Sequence, residues 1–450
     1  MDLLVRVRDP QAPGLDALLE DARRQRRYAA PDLALAREIA WGVCRKRRWL
    51  EVVLARYLER PLPTAAFHVH FTLLMGLYQA LYLDRIPAHT IADESVRLVG
   101  MVRTEVSYRK LVNAIMRRVL EAPKESHLPP ESTPWPVLHS VPDWLASEAG
   151  QVYRGAELRE FFAASNQPAA LVLRSVANPV ALPMAELAER LRMEALDTTG
   201  AVCEVTPGQL EPQSLHVRGR ALAPEGLPLF VRGLLTAEDE GGQVVGSLAG
   251  PRAGDRILDL CASPGGKSAH LADLTGRAFE RFIATDVSDR KLARLRETFA
   301  RLGLADRVET RLSTDLGADL EGTFDVVLVD APCSGLGTLR RHPEIRWRRR
   351  PEDLRSLAKL QGELLELGAR FVRPGGRLIY SVCTFTMMET DEQADKFSAA
   401  HAGRFTPTGA PEGLPFDEAR LRVAPGRWRT SPHRDGCDAF FVARWMRNPE

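Results

Sequence analysis

The chain changes hydrophobic period twice. Over residues 1–125 apolar positions recur at helical spacing. Ala34 to Leu58 is one such stretch. Phe71 to Leu83 (FTLLMGLYQALYL) is apolar nearly all round and predicts a buried central helix. Ile86-Pro-Ala-His89 interrupts the pattern, Thr90 or Asp93 offers a cap for the next helix, and Lys110 to Arg118 follows as another. From Thr236 onward, short β-branched runs alternate with helical periods. Arg256–Leu260, Arg281–Asp286, Arg307–Leu312, Phe324–Asp330, Arg377–Val382 and Phe440–Arg444 read as strands. Gly265 to Leu274, Arg290 to Leu302 and Pro351 to Phe371 read as helices between them. This alternation predicts an α/β fold with a doubly wound sheet.

Between these regions, residues 121–143 are rich in Pro, Glu and Ser and predict a linker. Residues 144–230 mix a helix (Met184 to Leu196) with strand-like runs (Ala170 to Val176, Ser214 to Val217), the pattern of a small α+β module. The expected domains are therefore 1–125, all-helical; 126–235, linker and small module; and 236–450, the doubly wound sheet.

Composition narrows the class. Apolar content of 45% and charged content of 27% are ordinary for a globular protein. No long uncharged apolar run suggests a membrane helix, and Met1 to Arg6 lacks the features of an export signal. Cys44, Cys203, Cys261, Cys333, Cys383 and Cys437 are scattered, without the spacing of a zinc site or a disulfide framework. A reducing cytoplasm, no metal and a monomer are expected. Residues 1–125 hold 21 Lys and Arg against 15 Asp and Glu, leaving the remainder net acidic. Arg23, Arg24, Arg26 and Arg27, and Arg45 to Arg48, form basic groups suited to phosphate contacts.

The candidate chemistry lies at strand ends. Asp330 closes an apolar strand and opens the loop Ala331-Pro-Cys333-Ser-Gly335; a second strand leads straight into Cys383. In open α/β sheets these C-terminal ends carry ligands. The string Leu258-Asp-Leu-Cys261-Ala262-Ser263-Pro264-Gly265-Gly266-Lys267-Ser268 is a strand end, turn and helix start. It lacks the first glycine of a phosphate-binding loop, because Cys261 stands there, and it lacks the spacing of a dinucleotide fingerprint. The reading that remains is an S-adenosylmethionine pocket. Glycines allow close backbone approach, Asp286 ends the next strand where ribose hydroxyls are held, and Asp315 follows the third. Arg340, Arg341, Arg346 and Arg348 to Arg350, interrupted by Trp347, suit an RNA backbone with an exposed base.

The strings DLCASPGGKS, DAPCSGLG and YSVCTF resemble the motifs of the RNA cytosine-5 methyltransferases. GLYQALYLDRIPAHTIADESV and KLVNAIMRRVL resemble the NusB-like domain fused to bacterial members that act on small-subunit rRNA. The resemblance spans nearly the whole chain and implies a Rossmann-like methyltransferase sheet behind a NusB-like RNA-binding domain. It implies Cys383 as nucleophile and Cys333 as the cysteine that assists product release. Lys267, Asp286, Asp315 and Asp330 match cofactor and active-site positions, and the backbone from Cys261 to Gly266 would line the cofactor. This sequence departs from the family pattern at Val382 (usually Thr), Met387 and Thr390 (Pro and Asn), Lys291 (Arg), Glu238 (Gln) and Ala439 (Gly). The expected substrate is small-subunit rRNA, with tRNA second; a non-catalytic assembly factor that binds RNA is the alternative.

The chemistry explains the two thiols. Carbon 5 of cytosine is a poor nucleophile until a thiolate adds to carbon 6, which is covalent catalysis. Asp330 can hydrogen-bond the ring nitrogen and amine of the activated base. A second group must then help remove the carbon 5 proton so that the adduct collapses.

Overall fold

The computed structural model describes residues 1–7, 9, 13–25, 28–102, 105–177, 182–219 and 223–449. By packing, the chain forms two compact units. One comprises Met1–Gln167 together with Leu339–Arg350; the other comprises Pro168–Thr338 and Pro351–Glu450. The changes of sequence character at 125 and 235 thus do not coincide with the packing divisions.

The first unit is helical. Its main helices are Ala30–Ala55, Phe67–Tyr82, Ala88–Gly100, Arg109–Glu121 and, after the proline-rich stretch, Asp143–Gly150 and Gly155–Ser165. The Phe67–Tyr82 helix buries every residue from Phe71 to Tyr78, as its all-round apolarity predicts. The following helix begins at Ala88, directly after Pro87, so Thr90 and Asp93 lie inside it and do not cap it. A proline at the helix boundary needs no hydrogen-bonded N–H, which makes Pro87 the better start.

The proline-rich stretch is not a loose linker. It holds helical turns at Lys124–His127 and Trp135–Leu138. Trp49 Nε1 donates to His127 O at 2.9 Å, and Arg48 donates through its backbone N–H to Ser140 Oγ and through its guanidinium to Val141 O. Ser140 and Val141 are fully buried. Prolines here fix short turns against a helix.

The basic segment after the Cys333 loop is also packed into this unit. Arg346 is completely buried and donates to His139 O, Ser140 O and Asn166 Oδ1. Trp347 Nε1 donates to Cys44 O, and Trp41 Nε1 to Arg341 O, both at 2.8 Å. Arg340 and Glu344 are buried too. The expectation that these arginines face RNA is corrected for Arg340, which is buried, and for Arg346, which donates to protein oxygens. Arg23 and Arg24 both pair with Glu20; Arg26 and Arg27 lie outside the described residues.

The second unit contains two sheets. The smaller is antiparallel, with strands β1 (Leu171–Ser175), β2 (Glu204–Pro207), β3 (Ser214–Arg218) and β4 (Leu235–Ala237) in the order β2-β3-β1-β4. Helix Met184–Thr199 lends Leu187, Leu191 and Ala195 to the core on this sheet, with Cys203 among them. The larger sheet has β5 (Arg256–Asp259), β6 (Arg281–Asp286), β7 (Glu309–Leu312), β8 (Phe324–Asp330), β9 (Val372–Val382), β10 (Phe405–Pro407), β11 (Arg422–Ala424), β12 (Arg427–Arg429) and β13 (Phe441–Arg447). Its order is β11-β12-β13-β9-β8-β5-β6-β7, with β10 also pairing β13. Strands β5 to β9 are parallel; β13 runs antiparallel to β9. The result is a Rossmann-like doubly wound sheet with an antiparallel edge.

Strand order reverses between β5 and β8, which are neighbours although β6 and β7 intervene in sequence. Such a switch point opens a crevice at the C-terminal ends. The central strands are buried on both faces, which is why Phe324–Val329 reads as an almost unbroken apolar run.

Candidate functional site

Four strand ends meet along the C-terminal rim. The turn Cys261–Gly265 follows β5, Asp286 ends β6, Asp330 ends β8, and Cys383 follows β9. The turn is tied to β6 by Ala262 N donating to Thr285 O at 2.9 Å and Ser263 N to Asp286 Oδ2 at 3.2 Å. Gly265 has φ of +108°, and a Cβ there would stand 2.9 Å from Leu295. Only glycine suits this position. Helix Gly266–Leu274 starts here, so its first backbone N–H groups point toward the rim, a ready site for an anionic group. Pro264 is exposed at the tip of the turn.

Beneath the turn lies Asp259, a buried carboxyl that accepts from Ser268 Oγ at 2.6 Å. Burial pushes its pKa up to about 7. Cys261 is half-buried, and burial together with Asp259 and Asp330 raises its thiol pKa. Asp286 is buried; its oxygens accept from Ser263 N and Val287 N and pair with Lys291 at 3.0 Å. Lys291, where the resembling family usually has Arg, is thus an ion-pair partner of this acid. Asp315 lies beyond β7 on an exposed turn and accepts from Thr314 Oγ1.

The reactive centre is more tightly drawn. β8 and β9 are parallel neighbours, and their register sets Asp330 beside Ser381. Ser381 Oγ donates to Asp330 Oδ1 at 2.5 Å, and Lys267 Nζ pairs with Asp330 Oδ2 at 2.8 Å. Burial would lower the Lys267 pKa, but Asp330, Glu238 and Cys383 together hold it above the ordinary lysine value. Lys267 stays cationic, 4.9 Å from the Phe440 ring centre. The same register places the two thiols side by side: Cys333 Sγ and Cys383 Sγ are 3.3 Å apart, in a hydrogen bond and not a disulfide. The hydrogen bond to Cys383, and then burial, raise the Cys333 pKa well above the usual thiol value.

Sequence reasoning missed Glu389, which is fully buried under both thiol loops. It accepts from Ser334 N at 2.8 Å, Gln361 Nε2 at 3.0 Å and Thr386 Oγ1 at 2.9 Å. Its only sequence mark is being an acid in the short loop before the helix Asp391–Ala400. It also missed Arg174 on β1, which is fully buried and pairs with Glu238 at 2.8 Å and Asp273 at 2.7 Å. Glu238, another departure from the family pattern, thereby gains a cationic partner from the smaller sheet.

The residues fit an S-adenosylmethionine ligand in kind. A backbone turn that admits no Cβ, a helix N-terminus and a strand-end acid bordering one crevice suit a nucleoside with an amino-acid tail. The site lacks the glycine spacing of a diphosphate cradle.

Comparison with known proteins agrees. Residues 247–446 match the family model described as 16S rRNA methyltransferase RsmB/F, and residues 1–121 match the NusB family. The Ribosomal RNA small subunit methyltransferase B of Pasteurella multocida is 31% identical, with 98% of this chain and 94% of the relative covered. The Probable ribosomal RNA small subunit methyltransferase B of a Synechocystis strain is 32% identical over 95% of this chain and 94% of its own. Among solved structures, PH0851 superposes with a TM-score of 0.76 at 22% identity, covering 98% of both chains. A methyltransferase homolog from Pyrococcus horikoshii gives 0.54 at 21% identity, over 71% of this chain and all of its own. These two show the shared fold. Identity and coverage together establish that the chain belongs to the ribosomal RNA small subunit methyltransferase B family.

Proposed function

We propose that this protein transfers a methyl group from S-adenosylmethionine to carbon 5 of a cytosine in small-subunit rRNA, through a covalent adduct at Cys383. The observation that carries the reading is the pair of free thiols 3.3 Å apart at the rim, beside the Lys267–Asp330 ion pair.

The backbone from Cys261 to Gly266 and the carboxylate of Asp286 would hold the cofactor, with Asp315 nearby on the rim. When bound, S-adenosylmethionine supplies an electrophilic methyl group. The protein's residues do the rest. Cys383, as the thiolate, attacks carbon 6 of a base taken out of its stack. Asp330, fixed by Ser381 and Lys267, is held rigidly enough to hydrogen-bond the activated ring.

The state of Cys333 follows from its partner. While Cys383 is a thiolate, it holds the Cys333 proton in place. Once Cys383 is bonded to carbon, it is a neutral thioether, and the main cause raising the Cys333 pKa is gone. Cys333 then gives its own proton to solvent more readily, and the resulting thiolate accepts the carbon 5 proton. Loss of that proton lets the Cys383 adduct collapse.

The test is methyl transfer from labelled S-adenosylmethionine to unmodified small-subunit rRNA and, in parallel, to tRNA. Label on rRNA that Cys383→Ala abolishes supports the reading; label on tRNA alone moves the substrate. RNA binding without label on either supports a non-catalytic assembly role.

A further inference from the structure

We propose that Glu389 is a positioning residue for the two-thiol reaction, its carboxylate fixing the register of the Cys333 loop against the Cys383 loop. This deepens the reading above and rests on it.

The geometry is specific. Glu389 Oε1 accepts from Ser334 N, one residue past Cys333, and from Gln361 Nε2. The same Gln361 amide donates to Pro332 O at 2.9 Å, one residue before Cys333. Glu389 Oε2 accepts from Thr386 Oγ1 and from Thr384 Oγ1 at 3.3 Å, one residue past Cys383. One carboxylate therefore grips the chain beside both thiols. Its own carbonyl accepts from the buried Tyr380 hydroxyl at 2.7 Å, which ties it to β9.

The donors are neutral, although Glu389 is fully buried. Burying a carboxylate on neutral donors is costly, and a neutral side chain of similar size would fill the space. What the side chain adds is direction, because it accepts in each of these four hydrogen bonds. With the Thr384 hydroxyl proton committed to Glu389, the 2.8 Å contact between Ser334 Oγ and Thr384 Oγ1 must run from serine to threonine. The two loops are then locked in one hydrogen-bond sense, and the thiols ride on them. A placement error of about 1 Å at a reacting group costs on the order of 100-fold in rate.

The experiment uses the full-length protein and two readouts. The first needs no RNA: diamide takes the two thiol hydrogens and is reduced to a hydrazine as the Cys333–Cys383 disulfide closes. Glu389→Ala is expected to slow closure roughly 10- to 100-fold, with Glu389→Gln between it and wild type. Cys383 alkylation by iodoacetamide should stay near wild type. The second readout uses unmodified small-subunit rRNA: the variants should slow decay of the protein–RNA adduct more than its formation, so the adduct accumulates on denaturing gels. Should Glu389→Ala not fold, Glu389→Gln, which keeps the size and one acceptor, carries the comparison. Disulfide closure at the wild-type rate in the folded variants overturns the proposal. Equal slowing of adduct formation and decay, alongside a lowered Tm, also overturns it by showing a merely structural role. If wild-type protein methylates no RNA, the function reading fails, while the closure rates still decide the placement of the thiols by Glu389.

Discussion

Cys333 Sγ lies 3.3 Å from Cys383 Sγ, although 50 residues separate them in the chain. The contact follows from topology: β8 and β9 are parallel neighbours, and each thiol sits just past a strand end. Cys333→Ala is therefore expected to leave the first thiol able to attack and the adduct unable to collapse. Incubation with S-adenosylmethionine and unmodified small-subunit rRNA should give a slow-migrating protein–RNA band on denaturing gels. Free turnover by this variant, with no band, would contradict the assigned role.

Asp330 is held by Ser381 on one oxygen and Lys267 on the other. Asp330→Ala should lower kcat by roughly 100- to 1,000-fold, the usual loss on removing a preorganised hydrogen-bonding group. RNA affinity, measured by filter binding, should change little. A loss of RNA affinity with kcat preserved would place Asp330 in binding rather than in activation of the base.

Arg346 separates structure from recognition. Its burial against His139 O, Ser140 O and Asn166 Oδ1 makes it a brace of the helical unit. Arg346→Ala should destabilise that unit by about 3 kcal/mol, because buried acceptors are left unsatisfied. The salt dependence of RNA binding, read as the slope of log K against log salt, should be unchanged. A slope reduced by about one would mean that Arg346 neutralises a phosphate after all.

Gly337 tests the packing around the thiols. A Cβ there would stand 2.0 Å from Ala439 O and 2.8 Å from Cys383 O, both backbone atoms. Gly337→Ala must shift the Cys383 loop or the loop before β13. The expected result is a folded protein whose Cys333–Cys383 disulfide closes more slowly with diamide than in wild type. Wild-type closure would show that the loops absorb the methyl group elsewhere.

Glu211 predicts a pH dependence. Burial raises its pKa from 4.5 to about 7, against the 2.6 Å hydrogen bond from Ser247 Oγ. For a carboxyl raised in the folded state, the folded protein binds the extra proton between the two values. Its stabilising contribution is complete below the unfolded value and is lost as pH rises through the folded one. Glu211→Gln should remove that loss, flattening stability against pH between about 4.5 and 7 by up to roughly 3 kcal/mol in urea titrations. An unchanged slope would mean that Glu211 titrates normally.

Much of this site could be read before the fold was known, and the reasons are local. Phe324–Asp330 announces a strand buried on both faces, and Asp330 and Cys333 must follow its end whatever surrounds it. The glycine turn and Asp286 are separated by one strand–helix–strand step, which fixes their relation. The adjacency of β8 and β9, by contrast, is a property of strand order, and strand order leaves no mark in either segment. Glu389 is invisible for a related reason: its partners Ser334 and Gln361 come from distant segments. Arg340 and Arg346 misled because charge was taken for exposure. Arg346 donates to the carbonyls of His139 and Ser140 and to the Asn166 amide oxygen, which a pattern of charges cannot reveal. The prolines between 129 and 136 misled similarly, since proline stiffens a packed turn as readily as it breaks an element.

Methyl transfer to carbon 5 through a thiol adduct must displace the hydrogen at that carbon. Small-subunit rRNA transcribed with cytidine tritiated at carbon 5 is incubated with the protein and S-adenosylmethionine, and released tritium is counted against methyl groups incorporated. One tritium is expected to be released per methyl group, with both lost in Cys383→Ala. Methyl incorporation without tritium release, or in the absence of Cys383, would contradict it.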